Sequence, residues 1–267
     1  MFRALCNNLT GMRAFQYSLE QIADNMSNIN TTGYKASHAS FSELLYRNVQ
    51  DRRLPAAPGA GALDPQAGKG VRISSLTTSF SQGALVQGSR PLDLAIEGEG
   101  FFRIIRPDNT VSYTRNGSFY LDEAANIVTA EGDFLDVPFN LSALLRDMDG
   151  DLGALVITAE GAALWVTEDA APVELGNIQL YRFINPAGLA ADRNGQYLQT
   201  AESGGALAGL PGQIGYGKIR QQYLERSNVD LAEEMVRLIT TQRALQSNIR
   251  ALITTDELWA LTIYIKS

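Results

Sequence analysis

The sequence predicts an α+β protein: long N- and C-terminal helices forming a coiled-coil-like hairpin, with a central all-β domain. Two observations predict it. Apolar residues alternate by four and three at both ends of the chain, the spacing of a narrow helical seam. The middle instead carries short β-like runs broken by turn residues. With 267 residues, 45% of them hydrophobic, the chain has enough material for a sizeable core. The expected division is an N-terminal helix over 1–35, an extended arm over 36–70, a β-rich domain over 71–223 and a C-terminal helix over 224–267.

The N-terminal seam runs Leu5, Leu9, Met12, Gln16, Leu19, Ala23 and Met26, widened by Phe15, Ile22 and Ile29. Asn30-Thr31-Thr32-Gly33 ends it, because glycine closes a helix in the left-handed conformation and threonine weakens the turn before it. The arm from Leu54 to Gly68 is rich in Ala, Pro and Gly, a composition that favours extended chain. In the middle, Leu92–Ile96 alternates and Gly98-Glu99-Gly100 breaks it. Phe101–Ile105 and Val111–Arg115 flank Pro107-Asp108-Asn109, which predicts a hairpin. Phe119–Leu121, Ile127–Thr129, Ala154–Thr158, Ala163–Thr167 and Ile178–Ile184 continue the series. The C-terminal seam runs Leu231, Met235, Leu238, Gln242, Leu245, Ile249, Leu252, Asp256 and Trp259. Asp230-Leu231-Ala232-Glu233 fits a capping box at its start.

Little in the chain suggests catalysis. With 22 basic and 29 acidic residues the net charge is -7, which argues against nucleic acid as a partner. One cysteine, Cys6, and one histidine, His38, leave thiolate metal sites and imidazole chemistry with almost nothing to use. Cys6 is read as a small apolar residue on a helix and His38 as a solvated loop residue. Gly98-Glu99-Gly100 and Gly68-Lys69-Gly70 miss the residues that phosphate-binding loops require. Asp147–Asp151 lacks the glycine and distal glutamate of a calcium loop and is read as a solvated acidic turn. Glu233 and Glu234 sit where a helix dipole favours negative charge. Arg237 and Arg243 flank the seam, either as intersubunit ion pairs or as a solvated face. No apolar run is long enough to span a bilayer, and no apolar block follows Arg3 as a cleavable leader would need.

A helical stripe must be buried against something, and a thin hairpin leaves apolar surface over. Polar seam residues such as Gln16, Gln242 and Asp256 suit a coiled coil, where they set register. The expectation is a self-assembling subunit whose ends are ordered mainly by neighbouring copies; a head-to-tail contact that does not close builds a helical filament. The assembly interface is assigned to Leu5, Leu9, Met12, Phe15, Gln16, Leu19, Ile22, Met26, Ile29, Leu231, Met235, Leu238, Gln242, Leu245, Ile249 and Leu252. Asn25, Asn28, Gly33 and Asn228 are assigned to shaping the helix ends.

Four segments resemble one family in order along the chain. Asn25-Met26-Ser27-Asn28-Ile29-Asn30-Thr31-Thr32-Gly33-Tyr34-Lys35 is similar to the N-terminal signature of bacterial flagellar rod and hook proteins, and Ser89–Phe102 and Tyr113–Phe119 to their internal motifs. Leu224–Met235 resembles the C-terminal signature, continued by Thr241–Ala244 and Thr254–Asp256. Phe41–Tyr46 and the long arm after it resemble the distal-rod type. The resemblance implies a non-enzymatic structural subunit of the flagellar basal body, without cofactor, metal or small-molecule substrate. It implies a helical homo-polymer that transmits torque, contacts with other rod and hook proteins, bushing rings where an outer membrane exists, and export by the flagellar type III apparatus. A proximal-rod or hook subunit is the near alternative, and a secreted β-rich binding module the far one.

Overall fold

The computed structural model describes residues 2–44, 47–48, 66–67, 70–139, 155–167 and 170–266. They divide into two compact units. One contains Met1–Ser27, Ser37–Thr78 and Asp230–Ser267; the other contains Asn28–Ala36 and Ser79–Val229.

The first unit is built on two helices, α1 (Phe2–Ser27) and α2 (Leu231–Lys266). They pack against each other in antiparallel sense: Ile22 lies near Arg237 and Thr241, and Gly11 faces Asn248. A Cβ on Gly11 would stand 2.9 Å from the Asn248 amide, so glycine lets the helices approach closely here. At 1.5 Å per residue, α1 is about 39 Å long and α2 about 54 Å. Asp230 caps α2, its Oδ1 accepting from the amides of Ala232 (2.8 Å) and Glu233 (3.4 Å). Of the capping box, that half forms; the Glu233 carboxylate accepts from Arg237 at 2.6 Å.

Beside the helices lies an antiparallel ribbon of β1 (Ser37–Glu43) and β4 (Val71–Thr78), with Ser37 opposite Thr78 and an irregularity between Ser40 and Phe41. Between them in sequence, β2 (Arg47–Asn48) pairs with β3 (Gln66–Ala67). Of the arm Leu54–Gly68, only Gln66 and Ala67 are among the described residues. Thr10 on α1 receives the ribbon, its Oγ1 accepting from the Val71 amide at 3.4 Å, and the Phe15 and Phe41 rings meet at 6.4 Å. His38 lies on β1, half-buried, where a solvated loop was expected.

The second unit is β-rich. Its largest sheet contains β7 (Phe102–Ile105), β8 (Val111–Thr114), β9 (Tyr120–Leu121), β10 (Ile127–Val128), β11 (Phe134–Leu135), β16 (Ala190–Ala191) and β17 (Gln196–Leu198), in the order β16-β17-β8-β7-β11-β10-β9. The hairpin β7–β8 closes through Pro107-Asp108-Asn109; Asp108 Oδ1 accepts from the Thr110 amide at 2.9 Å and Asn109 takes a positive φ of 62°. Smaller ladders complete the unit. β12 (Leu155–Ile157), β13 (Ala162–Thr167) and β14 (Ala170–Asn177) form one; β15 (Leu180–Arg182) pairs with β18 (Leu207–Gly209), β19 (Lys218–Gln221) with β6 (Leu94–Glu97), and β20 (Tyr223–Glu225) with β5 (Leu85–Gln87).

Successive residues on a strand point to opposite faces, and here they enter different cores. Phe102 joins Leu94, Ile96, Ile104, Phe119, Trp165 and Ile219 in the main apolar cluster, while Phe101 joins Tyr113, Tyr181, Phe183 and Tyr197 in an aromatic one. Phe102 and Phe119 meet edge to face at 5.4 Å, as do Tyr113 and Phe183 at 4.8 Å. A buried polar hub braces the hairpin against β17: Gln196 Oε1 accepts from Arg106 and Ser112, and Gln196 Nε2 donates to Asp133 at 2.6 Å. The turn Asp147–Asp151 lies outside the described residues. No described helix is long and apolar enough to cross a membrane.

Candidate functional site

Two features of this chain can serve a structural role: the outward faces of the two helices, and the junction of the terminal motifs within the second unit.

Helix pairing covers the predicted seam only in part. On α1, Ile22 is buried; Leu5, Met12, Phe15, Leu19 and Met26 are half-buried; Leu9 and Gln16 are exposed. Ile29 lies beyond the helix, half-buried in the turn that follows it. On α2, Leu238, Leu245 and Leu252 are half-buried, while Leu231, Met235, Gln242 and Ile249 are exposed. Exposure extends to positions outside the seam. Val236 (61%), Ile239 (51%), Ile253 (50%), Leu258 and Leu261 all face outward. A helix apolar on several sides, and covered on only some of them among the described residues, offers a large patch for association.

Each predicted helix-end residue has a definite task. Asn25, fully buried near the end of α1, clamps the start of β1: its Nδ2 donates to the Ser37 carbonyl (2.9 Å) and its Oδ1 accepts from the Ser37 amide (3.0 Å). Asn28 Oδ1 accepts from the Thr31 hydroxyl at 3.1 Å, shaping the turn after the helix. Gly33 has a φ of +69°, and a Cβ there would stand 2.6 Å from the Asn116 amide nitrogen. Asn228 accepts from the Ala36 amide at 2.7 Å and donates to the carbonyls of Ser79 (2.8 Å) and Ser81 (3.2 Å). Residues from both ends of the sequence are thus joined inside the second unit.

Beneath this junction lies a buried cluster of charges that sequence reasoning missed. Lys35 Nζ donates to Glu225 Oε1 at 2.6 Å and to the Ser81 carbonyl at 2.7 Å. The same Oε1 accepts from the Gly83 amide at 2.9 Å, and Arg115 Nη1 reaches Oε2 at 3.5 Å. The Glu225 carbonyl accepts from the Gly33 amide at 2.8 Å. Side chains of Lys35 and Glu225 are wholly buried. Burial lowers the Lys35 pKa, with the Glu225 carboxylate opposing and the Arg115 charge assisting. Burial likewise lowers that of Arg115, against the pull of Glu225. The only sequence signal was membership of the two terminal motifs, since Lys35 and Glu225 stand 190 residues apart.

In the first unit, Arg237 pairs within its own chain, with Glu233 at 2.6 Å and His38 at 2.8 Å. Cys6 sits exposed on α1. Among the described residues no group of histidine, cysteine and carboxylate side chains could hold a metal.

Comparison with known proteins gives this arrangement its context. Residues 6–35 match the flagella basal body rod protein family, residues 95–168 the flagellar hook protein FlgE/F/G D1 domain, and residues 220–263 the flagellar basal body rod FlgEFG protein C-terminal family. The chain is 39% identical to the flagellar basal-body rod protein FlgG of Borreliella burgdorferi, over 100% of its own length and 99% of that protein. The chain belongs to the FlgG family of flagellar basal-body rod proteins. The FlgG protein of Agrobacterium fabrum is 37% identical over 96% of each chain. The hook protein FlgE of Helicobacter mustelae is 41% identical over 49% of this chain and 30% of its own. FlgG-family proteins are structural, so the chain is a structural component of the flagellar basal body and not an enzyme. The junction residues Gly33, Lys35, Glu225 and Asn228 all fall inside the two terminal matches.

Proposed function

We propose that this chain is a distal-rod subunit that polymerises into a rigid helical tube and carries motor torque along it. One observation supports the reading above all: α2 exposes Met235, Val236, Ile239, Ile253, Leu258 and Leu261 although α1 is packed against it. Apolar area of that extent is removed from water by further copies of the same chain, each stabilising the next by about 25 cal/mol per Å² covered. In the assembly α1 and α2 act as a coiled-coil-like hairpin lining the tube, and the β-rich unit adds lateral contacts. Assigned contact positions are the seam residues, with the exposed ones, Leu9, Gln16, Leu231, Met235, Gln242 and Ile249, meeting neighbouring copies first. Other rod and hook proteins form the ends of the shaft, bushing rings surround it where an outer membrane exists, and the flagellar type III apparatus delivers the chain. The test is sedimentation and negative-stain microscopy of the full chain against a Val236→Glu/Ile239→Glu/Ile253→Glu variant. Straight filaments from the wild type and monomers from the variant, at equal helix content, support the reading. A wild-type chain that stays monomeric at high concentration, or a variant that polymerises equally well, sinks it.

A further inference from the structure

The first unit contains a contact suited to respond to acid. His38 on β1 faces the first turns of α2. Arg237 Nη1 lies 2.8 Å from His38 Nδ1 and 3.4 Å from Nε2, so the unprotonated nitrogen of a neutral ring can accept from it. Glu234 Oε1 stands 4.0 Å from the same Nδ1 and 4.0 Å from Arg237 Nη1, and Glu234 is buried, with an Oε2 that has no hydrogen-bond partner among the described residues. Glu233 is occupied by Arg237 at 2.6 Å. Around the ring lies a cavity of about 120 Å³, walled by Ser18 and Gln21 of α1, Ser37 of β1, and Thr240 and Thr241 of α2. From β4 the residue opposite His38 is Thr77. The charged groups facing the imidazole are therefore Arg237, Glu234 and Glu233, all on α2.

We propose that His38 is a proton-operated catch between the β1–β4 ribbon and α2, closed when the ring is neutral and released when it is protonated. A protonated ring has no lone pair for Arg237, and two cations would then stand 2.8 Å apart. Protonation instead sets an N–H beside Glu234 Oε1, 4.0 Å from Nδ1, and the cavity leaves the ring room to move away from Arg237. The catch is lost in the process, because Arg237 no longer holds β1. Burial first, and then the Arg237 charge, hold the imidazole below its ordinary value, with Glu234 and Glu233 opposing. The folded chain thus binds a proton less readily than the unfolded one. The stabilisation is complete above the ordinary histidine range and declines as pH falls through the folded-state midpoint.

Because the chain has one histidine, its imidazole can be followed alone by NMR on dilute, unpolymerised protein. The expected midpoint lies below about 6.5. Arg237→Gln moves it upward and Glu234→Gln moves it downward. Amide protection at His38 and Ala39 falls across the same pH interval, and His38→Gln, which can still accept from Arg237 but does not titrate, shows no such step. A midpoint at or above the ordinary value overturns the inference. So does protection in the wild type that ignores the titration, or an undiminished step in His38→Gln, a variant that retains the hydrogen bond and so the fold.

Discussion

Replacing Glu225 with glutamine keeps the side-chain shape and removes one charge from the most deeply buried ionic contact described in the protein. Glutamine can still accept from the Gly83 amide, so the change isolates the charge. What remains is Lys35 and Arg115, both buried, with no anion between them. At an effective dielectric of about 20, opposite unit charges 2.6 Å apart attract by about 6 kcal/mol before desolvation is considered. Breaking one side of a buried pair costs about 3–5 kcal/mol, because the partner is left uncompensated. That sum is a large fraction of the about 5–15 kcal/mol that holds a domain folded. The assay is guanidinium unfolding followed through Trp165, which is buried in the same unit. The expected result is a midpoint shift equivalent to about 3 kcal/mol or more, partly restored by adding Lys35→Met, since the double variant removes a stranded cation as well. A shift below about 1 kcal/mol would refute the reasoning, as would a double variant no better than the single one.

Other substitutions probe separate links. Gly33→Ala should cost about 2–4 kcal/mol in thermal unfolding, since it combines positive-φ strain with a Cβ 2.6 Å from the Asn116 amide nitrogen. Gly11→Ala should fall within about 1 kcal/mol of wild type, because its Cβ meets only the mobile end of Asn248 while helix propensity improves; Gly11→Phe should separate the helices and lower helix content by circular dichroism. Asp230→Ala removes the cap of α2 and should cost about 1 kcal/mol, read as earlier helix melting. Tyr197 is held well above the usual phenol range by burial, so absorbance titration should leave it protonated at pH values where exposed tyrosines ionise. The sign follows: its contribution is present below about 10, the unfolded value, and declines above it.

The parts of the fold legible in sequence are those with local signals. Heptad spacing marks α1 and α2, Asp230 marks the start of α2, and Pro107-Asp108-Asn109 marks the β7–β8 turn. Asn25, Gly33 and Asn228 stand out in the terminal motifs, but that they meet Ser37, Asn116 and Ala36 with Ser79 and Ser81 is not legible there. What stays hidden is pairing across the chain. Lys35 and Glu225 are charged, and a charged residue in a lone sequence reads as solvated unless its partner is known. Ser37-His38-Ala39-Ser40 reads as a loop because a narrow ribbon has no buried face to impose alternation; its residues are ordered by α1 and α2, not by their own hydrophobicity. Burial along α1 and α2 is likewise only half determined by spacing: the seam predicts which residues share a face, not how much of that face one partner covers.

The antiparallel packing of α1 and α2 has a kinetic consequence. These helices stand about 200 residues apart along the chain, so their union requires a long loop closure. During synthesis α1 lacks this partner until α2, 36 residues long, emerges. Until then α1 is a marginal helix in water, and it stiffens only once its counterpart arrives.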